Sequence, residues 1–82
     1  MSTTLSDDVA EGIVRDALHG FDTPDRLAAL PTDAPLRETL ALDSLDFLTF
    51  VERISAASGR RIEESDYRRL TTIGTCVQFL TE

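Results

Sequence analysis

The sequence predicts an all-α fold, a small bundle of three main helices plus one short helix, with a long anchored loop between the first two main helices. Three observations carry that prediction. Apolar residues recur at helical spacing in three separate stretches. Each of these stretches follows a Ser, Asp or Thr suited to capping a helix N-terminus. No stretch shows the period-two alternation of a half-buried strand.

The first helix opens at Ser6, with Asp7 and Asp8 in its first turn, where acids complement the helix dipole. Val9, Ile13 and Ala17 recur at i+4, and Val14 and Leu18 broaden the stripe. Gly20 is a natural terminator, and Gly12 inside the helix suggests close packing against a neighbour. Residues 1–4 are expected to fray. His19 falls in the last turn, where a protonated imidazole would complement the negative helix end. No second catalytic or ligating group accompanies it in sequence.

Residues 21–42 form a connection too long to be structureless in a domain of this size. Thr23-Pro24-Asp25 reads as a cap, a proline at the first helical position and a first-turn acid, with Leu27 and Leu30 following at i+3. A short helical turn is expected there, and Pro31 stops it. Leu36, Leu40 and Leu42 then pin the rest of the loop to a core, and Pro24, Pro31 and Pro35 stiffen it.

The central helix runs over Leu45–Ala57, with Asp43 as its cap and Asp46 adding charge near the positive end of the dipole. With Ser44 set to 0° on a helical wheel, Phe47, Phe50, Val51, Ile54 and Ala57 span about 220° to 340°, one continuous core face. Leu45 and Leu48 fall outside it, in the sector of Ser44, Glu52 and Ser55, at about 20° to 100°. Apolar side chains off the core face and beside an acid fit a partner-binding surface as well as they fit isolated exposed leucines. Gly59 ends the helix. Ser65-Asp66 offers a cap for one or two further turns, with Tyr67 and Leu70 as anchors. Thr72 caps a last helix, whose stripe is Ile73, Cys76, Val77 and Leu80.

Composition narrows the function. The 82 residues suit one domain spanning 1–82. A net charge of −7 argues against nucleic acid and against an anionic membrane surface. The charge is uneven: residues 1–52 hold eleven acids and three arginines, residues 53–82 four acids and five arginines. The acidic part includes Ser44 and suits basic partners drawn by long-range steering. The single cysteine excludes an internal disulfide, and no apolar run is long enough to span a membrane, so a cytoplasmic monomer is expected. Cys76 lies on an apolar stripe and reads as a small buried hydrophobe. Nothing has metal-ligand spacing. A serine hydrolase is opposed by the lack of a Gly-x-Ser-x-Gly elbow, and a DNA-binding helix-turn-helix by the acidic first part. A serine at a helix start is most simply part of the cap, although free N–H donors and the dipole there also favour a phosphate-linked group.

Leu42-Asp43-Ser44-Leu45-Asp46, after a leucine-anchored loop in an acidic chain of this length, resembles the Asp-Ser-Leu attachment motif of acyl carrier proteins. Ser65-Asp66-Tyr67 through Leu70-Thr71-Thr72-Ile73-Gly74 resembles that family's third helix and Thr-capped fourth, so the likeness covers residues 5 to 81. The resemblance implies a carrier and not an enzyme. Ser44 would receive phosphopantetheine from coenzyme A by a phosphopantetheinyl transferase, and the arm's thiol would hold acyl groups. It implies that Asp43, Leu45, Asp46, Leu48 and Glu52 form the recognition face for the transferase and for acyl-loading, condensing or modifying enzymes. It also implies that Phe47, Phe50 and Val51 line an acyl pocket. Two departures stand out: Ala41 where the family often has glycine, and Thr49 and Ser55 where general fatty-acid carriers often have Glu. Ala41 makes the backbone there less permissive, whereas Thr49 and Ser55, with the run Asp43-Ser44-Leu45-Asp46-Phe47-Leu48 and Phe50-Val51, resemble freestanding carriers of a dedicated lipid, polyketide or other specialised pathway. A peptidyl or aminoacyl carrier, and an unmodified helical interaction module, remain as alternatives.

Overall fold

The computed structural model describes residues 5–82. The expected fraying of residues 1–4 lies outside them. Five α-helices and one 3-10 helix follow in order: α1 (Asp7–Ala17), α2 (Pro24–Ala28), α3 (Leu36–Thr39), α4 (Ser44–Ser58), the 3-10 helix (Glu64–Arg69) and α5 (Ile73–Leu80). The described residues contain no strand. The three long helices, α1, α4 and α5, are the three expected from periodicity, and α1 packs against both others.

Ser6 starts α1, its Oγ accepting the Val9 N–H at 3.2 Å. The buried face of α1 is Ala10, Val14 and Ala17, continued by Leu18. Val9 is 52% exposed, so the stripe is rotated from the expected one. The buried sector is set by two helices packing at once, and small Ala10 fits there where periodicity favoured the larger valine. Gly12 is exposed, and a Cβ added there would meet nothing within 4 Å, which corrects the expectation of close packing. A cation also reaches the C-terminal end of α1 from α4, in Arg53. Its Nη1 donates to the carbonyls of Ala17 at 3.1 Å and His19 at 2.8 Å, while its guanidinium lies 5.2 Å from the Phe21 ring centre. An arginine delivered from another helix satisfies carbonyls that α1 itself cannot.

The long loop is held in the same way. Thr23 Oγ1 caps α2 by accepting the Arg26 N–H, with Pro24 at the first helical position. Arg15 Nη1 donates to Leu27 O at 2.9 Å and Leu30 O at 3.2 Å, fastening the end of α2 to α1. Leu27, Leu30, Leu36 and Leu42 are buried and Leu40 is half-buried, as the anchor reading required. The short helix α3 was not expected. It forms because burying Leu36 and half-burying Leu40, four residues apart, needs one helical turn. Two backbone bonds sew the loop to the start of α5: Leu36 N–H to Thr71 O and Gly74 N–H to Thr32 O, both 2.9 Å. A Cβ at Gly74 would come within 3.3 Å of Thr32 O, so glycine permits this approach.

Phe47, Phe50, Val51 and Ile54 of α4 are buried in the core. Ala57 is exposed, contrary to its place on the helical wheel, and lines a shallow groove between α1 and α4. Its methyl is too short to reach the core from the last helical turn. Gly59 takes the left-handed conformation at φ 71° and ends α4, its N–H bonding to Ser55 O. The 3-10 helix begins after Glu63, whose N–H is accepted by the Asp66 carboxylate at 3.0 Å, rather than at Ser65-Asp66. Thr72 and Thr75 cap α5 reciprocally. Its buried residues are Ile73, Cys76, Phe79 and Leu80, while Val77 is half-buried. Phe79 replaces it in the core and carries the guanidinium groups of Arg60 and Arg69 at 4.6 and 5.0 Å from its ring centre.

Candidate functional site

Ser44 is the first residue of α4 and is exposed. The turn beneath it is fixed from both sides. Asp43 Oδ1 accepts the Asp46 N–H at 2.8 Å, and Asp46 Oδ2 accepts the Asp43 N–H at 3.4 Å. This is a capping box with aspartate in the place usually taken by Glu or Gln. It leaves the Ser44 and Leu45 amides without a partner among the described residues, at the positive end of a 15-residue helix. The Ser44 hydroxyl likewise makes no hydrogen bond among the described residues, so it is free to be modified. Immediately upstream, Ala41 has φ 53°, the only non-glycine with a positive φ among the described residues. This left-handed turn reverses the chain out of α3, with the Leu42 N–H bonding to Arg37 O at 2.9 Å. The departure from glycine noted in the sequence therefore falls where glycine would relieve strain.

Leu45 and Leu48 are 74% and 40% exposed, and Glu52 is exposed beside them. The off-core sector of α4 is thus a solvent-facing surface that begins at Ser44. Next to it opens a cleft of about 420 Å³, within the size range of small-molecule sites. Ser44, Phe47 and Leu48 of α4 form one wall, Arg37 and Glu38 of α3 a second, and Glu64, Tyr67 and Arg68 of the 3-10 helix a third. Phe47, 6% exposed, is its aromatic base. Tyr67 meets the Phe47 ring edge-on at 5.7 Å, and the Arg37 guanidinium lies 5.3 Å from the ring centre. Phe50 and Val51 lie in the core and do not line the cleft; Phe50 is tilted against Phe47 at 6.2 Å.

The structure therefore places Ser44, Leu45, Leu48 and Glu52 on the exposed sector of α4, Asp43 and Asp46 in its capping turn, and Phe47 on its core face. It adds Arg37, Glu38, Glu64, Tyr67 and Arg68, which sequence reasoning did not assign to the site. The arginines carry no motif, and their placement depends on α3 and on the path of the 3-10 helix. Cys76 is remote from this chemistry. Burial pushes its thiol up to about 12, so it stays protonated and unreactive at neutral pH. Among the described residues no cluster of three potential ligands could hold a metal. No helix of the described residues is long and apolar enough to cross a membrane.

A capped helix start thus carries an exposed hydroxyl that opens onto the adjoining cleft. The chain belongs to the family described as "Phosphopantetheine attachment site", whose model matches residues 13–80. It is a carrier domain, not an enzyme, and the family is the site of covalent phosphopantetheine attachment. That sets aside the unmodified interaction module and the serine hydrolase. Searches of curated proteins and of solved structures gave no significant match. The residues present fit the group: an accessible serine hydroxyl, two open amides beside it and a cleft with an apolar base.

Proposed function

We propose that Ser44 is the attachment residue and that the chain, as a single domain, is the acyl carrier of a dedicated biosynthetic pathway in the cytoplasm. One observation carries this reading: an exposed hydroxyl at the first position of α4 is flanked by its two capping acids and lies on the cleft. The bound group supplies a thiol on a flexible arm, to which an acyl chain is joined as a thioester. The protein's own residues then have separate tasks. Asp43 and Asp46 hold the turn that presents the hydroxyl and offer negative charge to a basic transferase. Leu45, Leu48 and Glu52 form the docking face for loading, condensing and modifying enzymes. Weak, charge-steered docking suits successive partners, since rim charges act mainly on association rates. The lone thiol of Cys76, buried and protonated, does not compete with the arm's thiol.

Phe47 limits the cargo in this reading, because an acyl chain must displace its ring to reach Phe50 and Val51. Phe47→Ala should shelter longer chains, read as slower hydrolysis of long-chain thioesters; equal protection at every length would remove this role. Thr49 and Ser55, in place of Glu, support a dedicated pathway over general fatty-acid elongation. Efficient turnover of the acylated protein by standard elongation enzymes would contradict that. The peptidyl or aminoacyl alternative is separated by asking which acid a ligase from the same source loads. Attachment itself is tested by intact mass after incubation with coenzyme A and a promiscuous transferase. Wild type should gain one phosphopantetheinyl group and Ser44→Ala none.

A further inference from the structure

Six of the eight arginines in the chain have a carbonyl or carboxylate partner: Arg15, Arg26, Arg53, Arg60, Arg61 and Arg69. Arg37 and Arg68 have none among the described residues. Both line the Ser44 cleft. Glu38 and Glu64 line it too, yet no ion pair within 4.0 Å joins either of them to these arginines. The cleft lining thus includes two arginines without a carbonyl or carboxylate partner among the described residues, one from α3 and one from the 3-10 helix.

We propose that Arg37 and Arg68 are positioning residues that clamp the phosphodiester joining Ser44 to its arm, and so lay the arm along the cleft between deliveries. The inference rests on Ser44 being the attachment residue. The phosphorus is then one bond from Ser44 Oγ, which fixes the anion at the mouth of the cleft. Phe47 is one helical turn from Ser44, so their side chains are neighbours. Arg37 sits over the Phe47 ring at 5.3 Å and is held beside that mouth. Arg68 lines the same cleft from the 3-10 helix, as does Tyr67, whose ring packs edge-on against the same phenyl group at 5.7 Å. The open amides of Ser44 and Leu45 complete a donor set suited to an anion. Asp43, Asp46, Glu38 and Glu64 oppose it, so the clamp is weak and salt-sensitive. A shuttle needs a hold of that kind, because each partner enzyme must draw the arm out.

Phosphorus NMR of the modified protein tests the clamp, with each sample first shown by intact mass to carry one group. In wild type the resonance should stand away from its position in the same protein unfolded in urea, and should move toward that position as salt is raised. Arg37→Gln and Arg68→Gln should each reduce the displacement, and the double variant should abolish it. Arg37→Lys, which keeps the charge, should retain more than half. Arg61→Gln, outside the cleft, should leave it unchanged. A wild-type displacement that survives in the double variant overturns the clamp while leaving attachment intact. Equal loss in Arg61→Gln overturns it as well. Absence of any mass gain in wild type removes both the clamp and the attachment reading.

Discussion

The arginines of the α1 side and those of the cleft side serve opposite ends. On the α1 side, Arg15 and Arg53 cross between segments and donate to main-chain carbonyls of α2, α1 and the turn after α1. They close helix ends and tie the long loop down. On the cleft side, Arg37 and Arg68 meet no carbonyl or carboxylate among the described residues, although each lies in the last turn of its own short helix. The same residue type is structural where carbonyls converge and available for a ligand where open amides converge. Helix polarity accounts for the α1 side, where C-terminal ends present acceptors that arginine satisfies.

Substitutions can break this contrast. Arg53→Ala should cost the most, about 1–2 kcal/mol, through two charge-assisted hydrogen bonds and a stacked ring in a partly exposed setting. Urea denaturation measures it, and a loss no larger than that of Arg68→Ala would erase the distinction between the two sides. Asp43→Ala should cost about 1 kcal/mol as a lost cap and should also slow modification of Ser44. A normal modification rate at reduced stability would separate capping from recognition. Ala41→Gly should stabilise by about 0.5 kcal/mol, the relief of a left-handed alanine less the added chain entropy of glycine. Arg68→Gln should change stability least, within about 0.5 kcal/mol.

Two groups in and after α5 make stability depend on pH with opposite signs. Hydrogen bonding to Arg69 holds the Glu82 carboxyl below its usual range. Its contribution to stability is present above the unfolded carboxylate pKa and is lost as pH falls through the lower folded value. Cys76 has the opposite sign. With its folded pKa raised to about 12, stability should fall as pH climbs from the ordinary thiol value toward that limit. Melting temperature against pH in wild type and Cys76→Ala checks this, since only wild type should lose stability by that route.

The three long helices were legible because capping residues and apolar period agree at Ser6, Asp43 and Thr72. The loop anchors were legible as well, since isolated leucines among prolines have few reasons to be there. The exposed Leu45 and Leu48 followed from the wheel alone. What escaped depends on relations between elements. Val9 and Ala10 exchange roles because two helices, not one, choose the buried sector. Arg53 reaches the carbonyl of His19 from 34 residues away, a pairing that no local pattern contains. The cleft walls escaped for the same reason, since α3 is one turn long and Arg37 belongs to no pattern.

The most direct test of Ser44 as the attachment point uses the silence of Cys76. Native protein should show no thiol reactive toward a disulfide reagent before modification, because its one cysteine is buried and protonated. After incubation with coenzyme A and transferase, then desalting, wild type should show one reactive thiol per chain and Ser44→Ala none. One thiol gained by Ser44→Ala, or none gained by wild type, would contradict the account.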